Sequence, residues 1–98
     1  MKTLNDIETI IRKRKPELQA TFHVREIGVF GSFVRGEATR RSDVDILVDI
    51  EPEYITYDNY ADLLEFLEGK LRRKVDLVMR DALREELKPY VLREVVYV

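Results

Sequence analysis

A small mixed β-sheet covered by helices, an α/β (α+β) arrangement, is the fold predicted for this 98-residue chain, and three observations predict it. Two β-branched runs, Asp43 to Ile50 and Val75 to Met79, read as strands. The segment between them repeats apolar residues at helical spacing. A third strand candidate, Val24 to Phe30, stops at Gly31-Ser32, a turn signal.

The elements follow in order. Leu4, Ile7, Ile10 and Ile11 recur at helical spacing, with Thr3 or Asn5 available as the cap, so a first helix ends in the basic run Arg12 to Lys15. Pro16 is expected to interrupt it, leaving Glu17 to Thr21 as a separate helical piece. After the strand Val24 to Phe30, Ser32 can cap a short helix that stops at Gly36. Asp43 to Ile50 is the inner strand, closed by Pro52. Tyr60, Leu63, Leu64, Leu67 and Leu71 form one stripe, predicting a helix from about Tyr57 to Arg73 that covers the sheet. Val75 to Met79 is the next strand, Ala82 to about Lys88 reads as helix before Pro89, and Val95 to Val98 is a final edge strand or a docking strand for a partner.

The bulk numbers restrict the chemistry. Hydrophobic residues make up 45% and charged residues 37%, a globular composition with an ionic surface. Seventeen basic against nineteen acidic residues leave a net charge of −2, without the positive field of a nonspecific nucleic-acid binder. With no cysteine and a single histidine, His23, a metal would be held by oxygen. No apolar run has membrane-spanning length, and Met1 to Asp6 lacks the apolar region of a signal peptide, so the expectation is a cytoplasmic protein. One Gln and two Asn beside abundant Glu, Lys and Arg lean toward a thermophile.

The stretch from Gly31 to Asp45 carries the chemistry. In a strand, residues i and i+2 face the same way, so Asp43 and Asp45 project together, roughly 6.6 Å apart along the backbone. Convergent carboxylates suit Mg²⁺, which binds through a few carboxylates, waters and substrate phosphates. Asp76 sits between Val75 and Leu77, where burial without a partner would be costly. If the two strands are neighbours, three carboxylates meet, enough for two metal ions about 3.5–4 Å apart. Gly31 permits close approach of a phosphate, and Ser32 adds a hydroxyl at a helix start. Together these parts describe a nucleoside triphosphate site.

Gly-Ser, a ten-residue spacer and Asp-x-Asp resemble the DNA polymerase beta-like nucleotidyltransferase superfamily, in its minimal nucleotidyltransferase branch. The resemblance covers most of the chain and implies a single domain, 1–98, with the palm-type fold. It implies that Gly31 and Ser32 bind triphosphate, that Asp43, Asp45 and Asp76 hold Mg²⁺, two ions in all, and that ATP is the substrate. Asp76 would also receive or steer the proton of the attacking hydroxyl. Many proteins of this branch are antitoxins that transfer AMP to a tyrosine of a HEPN-type toxin, and the similarity implies such a partner here. So short a chain leaves little room for a template or acceptor domain, which independently favours an acceptor on a partner.

Competing readings stand beside this one. Arg35 can contact phosphate as a further nucleotide-binding residue, or it can form a surface ion pair, as Arg40 and Arg41 are expected to do. Asp49 is assigned to salt bridging, His23 to the surface, Tyr54 and Tyr57 to a loop and Tyr60 to the buried stripe. A catalytically idle antitoxin that acts by complex formation is the first alternative function. A nucleic-acid nucleotidyltransferase is the second, disfavoured by the missing basic excess. Oligomerisation is left open.

Overall fold

The computed structural model describes residues 2–98. Helix α1 (Leu4–Phe22) begins in a capping box: the Asp6 amide donates to Thr3 Oγ1 at 3.2 Å, and the Thr3 amide donates to Asp6 Oδ2 at 2.9 Å. The helix runs through Pro16 without a break, against expectation. Interior proline costs roughly 3 kcal/mol. Leu18 and Phe22 are buried beyond it, each contributing about 1.5–3 kcal/mol, and Pro16 itself lies on the exposed side. Burial therefore outweighs the lost hydrogen bond. His23 ends the helix in the left-handed conformation, half-buried, with its ring stacked on Tyr54 at 3.4 Å.

Strand β1 (Val24–Phe30) leads through Gly31 into the single-turn helix α2 (Ser32–Arg35). Strand β2 (Val44–Ile50) follows, then a 3-10 turn at Pro52–Tyr54 and helix α3 (Tyr57–Leu71). Leu63, Leu67 and Leu71 are buried, and Tyr60 and Leu64 pack against the core, so the predicted stripe faces inward. Strand β3 (Val75–Met79) completes a β2–α3–β3 crossover.

The predicted helix from Ala82 to Lys88 does not form. A 3-10 turn spans Arg80–Ala82, and helix α4 runs instead over Lys88–Glu94, followed by the two-residue strand β4 (Val96–Tyr97). Residues 82–88 bury nothing that would hold a helix to the body. Pro89 starts α4 rather than stopping its predecessor, because a residue without an N–H is tolerated in a first turn.

The sheet order is β3-β2-β1-β4, with β2 and β3 parallel and the other pairs antiparallel. Val44, Ile46, Val48 and Ile50 alternate into the core shared with α1 and α3. The intervening Asp45, Leu47 and Asp49 therefore project from the opposite face. Among the described residues, no helix is long and apolar enough to cross a membrane.

Candidate active site

The carboxylates are aligned by strand register. Asp45 of β2 is the Cα partner of Asp76 on β3 and, on its other side, of Phe30 on β1. Parallel pairing in register puts the two carboxylates on the same face as neighbours, and Gly31 follows directly from Phe30. Asp45 is half-buried, and its carboxyl is pushed up to about 6. Burial is the largest cause, followed by the charge of Asp76, a hydrogen bond with Asp76 and the charge of Asp43; Arg35 pulls weakly the other way.

Two expectations need correction. Asp76 is exposed rather than buried, because β3 is an edge strand with its outward face uncovered. Asp43 lies one residue before β2 and is exposed. Among the described residues, no three His, Cys, Asp or Glu side chains converge into a preformed metal cage. Asp45 and Asp76 are brought together, while Asp43 reaches Asp45 through its field alone. Hard-ligand sites of the Mg²⁺ type are completed by waters and substrate phosphates, and this open set fits that kind of ion.

Gly31 takes φ 80 and ψ −152, a region nearly restricted to glycine. A Cβ there would overlap the Asp45 carboxylate and lie 2.8 Å from its Cγ. Gly31 is itself the N-cap, so Ser32 is the first helical residue and not the side-chain cap predicted. Among the described residues its hydroxyl has no partner, and it is half-buried beside the carboxylates' end of the sheet. The Gly31 carbonyl accepts from the amides of Val34 (3.0 Å) and Arg35 (3.1 Å), and Gly36, at φ 73, ends the turn as expected.

Arg35 is drawn to two carboxylates. Its Nε donates to Glu37 Oε1 at 2.7 Å, and its Nη1 donates to Glu94 Oε1 and Oε2 at 3.1 and 3.0 Å. Glu94 also accepts from the Gly31 amide at 2.5 Å. Gly31, Arg35, Asp45, Tyr90, Val91 and Glu94 thus line one cavity of about 270 Å³. A larger groove of about 500 Å³ between Phe22 and Phe66 holds none of the candidate residues, whereas the smaller cavity holds Gly31, Arg35 and Asp45.

Arg73 was not singled out in the sequence. Its Nη2 donates to the carbonyls of Thr39 (2.9 Å), Arg40 (3.1 Å) and Ser42 (2.7 Å), and the guanidinium lies 5.2 Å from the Phe33 ring centroid. The Val44 amide donates to Lys74 O at 2.9 Å. These bonds fasten the loop that delivers Asp43. Asp49 pairs with Arg25 at 2.9 Å, as predicted, and Tyr60 donates its hydroxyl to Leu77 O at 2.7 Å from within the stripe. Tyr54 stacks on His23, and Tyr57 is exposed at the start of α3.

Comparison with known proteins gives the family and the fold. Residues 6–98 match the nucleotidyltransferase domain family. A relative in Thermococcus cleftensis, the protein adenylyltransferase MntA, is 54% identical over 100% of this chain and 98% of its own length. A solved structure described as a minimal nucleotidyltransferase superposes with a TM-score of 0.75 at 38% identity, covering 92% of this chain and 93% of that one. A toxin–antitoxin crystal structure with AMP-PNP superposes with a TM-score of 0.67 at 26% identity, covering 95% of this chain and 69% of that one. The chain belongs to the nucleotidyltransferase domain family, and its fold is the minimal nucleotidyltransferase fold.

Proposed function

We propose that this protein transfers AMP from ATP, with Mg²⁺, to a hydroxyl of a partner protein, a tyrosine of a HEPN-type toxin, and so acts as that toxin's antitoxin. The observation that carries the reading is the pairing of Asp45 with Asp76 directly beside Gly31. Asp45 and Asp76 are neighbours across β2 and β3, and the half-buried Asp45 carboxyl is pushed up to about 6, by burial first and then by the charge of Asp76, so a cation beside the pair would relieve both. The MntA relative supports adenylyl transfer to protein, and the AMP-PNP complex supports an adenine nucleotide and a toxin partner.

In this reading the Gly31-Ser32 turn holds the triphosphate, with the Ser32 hydroxyl donating to a phosphate oxygen. Asp43, Asp45 and Asp76 would hold Mg²⁺, which supplies positive charge against the triphosphate and the leaving pyrophosphate. Asp76, the most exposed of the paired carboxylates, faces an incoming hydroxyl and accepts or steers its proton. The acceptor oxygen forms a bond to the α-phosphorus while the bond to the β-phosphate oxygen breaks, and pyrophosphate leaves.

A second reading, neutralisation by complex formation alone, is favoured by one observation: Glu94 already occupies the Gly31 amide and Arg35. Both readings are separated by incubating the chain with ATP, Mg²⁺ and the product of the adjacent open reading frame. An AMP-sized mass gain on that product, abolished in Asp43→Asn, supports transfer. Neutralisation that survives in Asp45→Asn, without any mass gain, supports the binding reading instead.

A further inference from the structure

Glu94 is 63 positions from Gly31 in sequence, yet its carboxylate is the hydrogen-bond partner of the Gly31 amide and of the Arg35 guanidinium together. A backbone N–H and a guanidinium converging on one carboxylate form a charge-assisted anion site. The donors belong to the turn that the functional reading assigns to triphosphate, and the acceptor belongs to a different element. That element, α4, buries no residue: Tyr90 and Leu92 are exposed, Tyr90 by 69%, and Val91 is only partly covered. Its C-terminal end is tied to the sheet by β4, which pairs with β1, and Glu94 is the α4 side chain that reaches the Gly31 turn. Tyr90 stands one helical turn before Glu94, on the same face and on the same cavity.

We infer that Glu94 is a resident anion at the phosphate-binding turn, and that a triphosphate binds by displacing it and releasing the Glu94 end of α4 from Gly31 and Arg35. This rests on the nucleotide-site reading above and adds to it a residue that sets nucleotide affinity. One set of donors cannot serve a carboxylate and a phosphate at once, since both anions would be crowded against Asp45. The held form is thus a competitor within the chain itself, and apparent affinity scales with the fraction of molecules in which Glu94 is out. Glu94→Gln keeps the side chain's size and removes its charge.

The test is calorimetric titration of the full chain with ATP and, separately, inorganic pyrophosphate, each with Mg²⁺. If the held form dominates, Glu94→Gln binds both ligands about tenfold more tightly than the wild type. In an Arg35→Ala background, the same substitution gives a clearly smaller gain, because the shared partner is gone. Hydrogen exchange of wild-type α4 provides a measurement that needs no variant: its amides exchange faster once ATP saturates the chain. Glu94→Gln that binds no more tightly than wild type, or α4 amides that become more protected with ATP, would overturn the displacement while leaving the nucleotide site standing. Failure of wild type and variants alike to bind either ligand would overturn both readings.

Discussion

Gly31 and Asp45 occupy one another's space: the only residue that fits at position 31 is one without a Cβ, because the Asp45 carboxylate lies where that carbon would be. The glycine conformation at φ 80 and the half-buried aspartate are therefore one feature built from two adjacent strand ends. Gly31→Ala has to move either the turn or the carboxylate. The backbone strain alone costs about 1–3 kcal/mol. Thermal unfolding should show that loss, and nucleotide binding should fall further than stability does, because both halves of the site shift together.

Asp43→Asn and Asp45→Asn are expected to separate chemistry from folding. Neither carboxylate anchors the core, and electrostatic stabilisation by a held metal is worth several kcal/mol in a transition state. Transfer should drop about 10²-fold or more while circular dichroism stays that of the wild type. A variant that keeps wild-type turnover would remove its residue from the metal set.

The raised Asp45 carboxyl makes stability depend on pH with a definite sign. Its folded value is about 6 against 3.8 for an ordinary aspartate, so between these values the folded chain binds more protons than the unfolded chain. Stability without metal therefore falls as pH rises through that window, and Asp45 destabilises the fold above it. Asp45→Asn should remove this part of the slope and raise the melting temperature at neutral pH. Melting curves of both chains across the window, in chelator, provide the comparison.

Arg73 ties three carbonyls of the loop before Asp43. Arg73→Ala should cost about 2–3 kcal/mol, since hydrogen bonds from a charged donor are worth roughly 1.5–3 kcal/mol and share one side chain here. Transfer should fall as well, through a misplaced Asp43. Arg73→Lys should rescue little, because an ammonium cannot reproduce the planar fork or its stacking over Phe33. Chemical denaturation and turnover measured on the same samples check both parts.

Local patterns made the strands and the stripe of α3 legible in the sequence, because each depends on near neighbours; Gly31-Ser32 and the aspartates were legible as a spaced motif, although it is β1–β2 pairing that sets Gly31 against Asp45. Pro16 misled because the burial that carries α1 past it comes from tertiary contacts of Leu18 and Phe22. Pro89 misled for a related reason: a proline marks either end of a helix, and only packing tells which. Asp76 was placed correctly beside Asp45 but not in depth, since exposure depends on β3 being the edge. Glu94 and Arg73 carry no local signal at all. Their partners lie 59 to 63 and 31 to 34 residues away, joined only when the sheet is assembled.

The proposed reaction is attack at the α-phosphorus of a nucleotide held between Gly31-Ser32 and the aspartates. It is tested most directly by supplying the chain and its partner with Mg²⁺ and ATP labelled either at the α- or at the γ-phosphate. Label retained on the partner from α-labelled ATP alone, with pyrophosphate released and none of it in Asp45→Asn, is the predicted result. Label retained from the γ-phosphate, or from neither, would contradict the account.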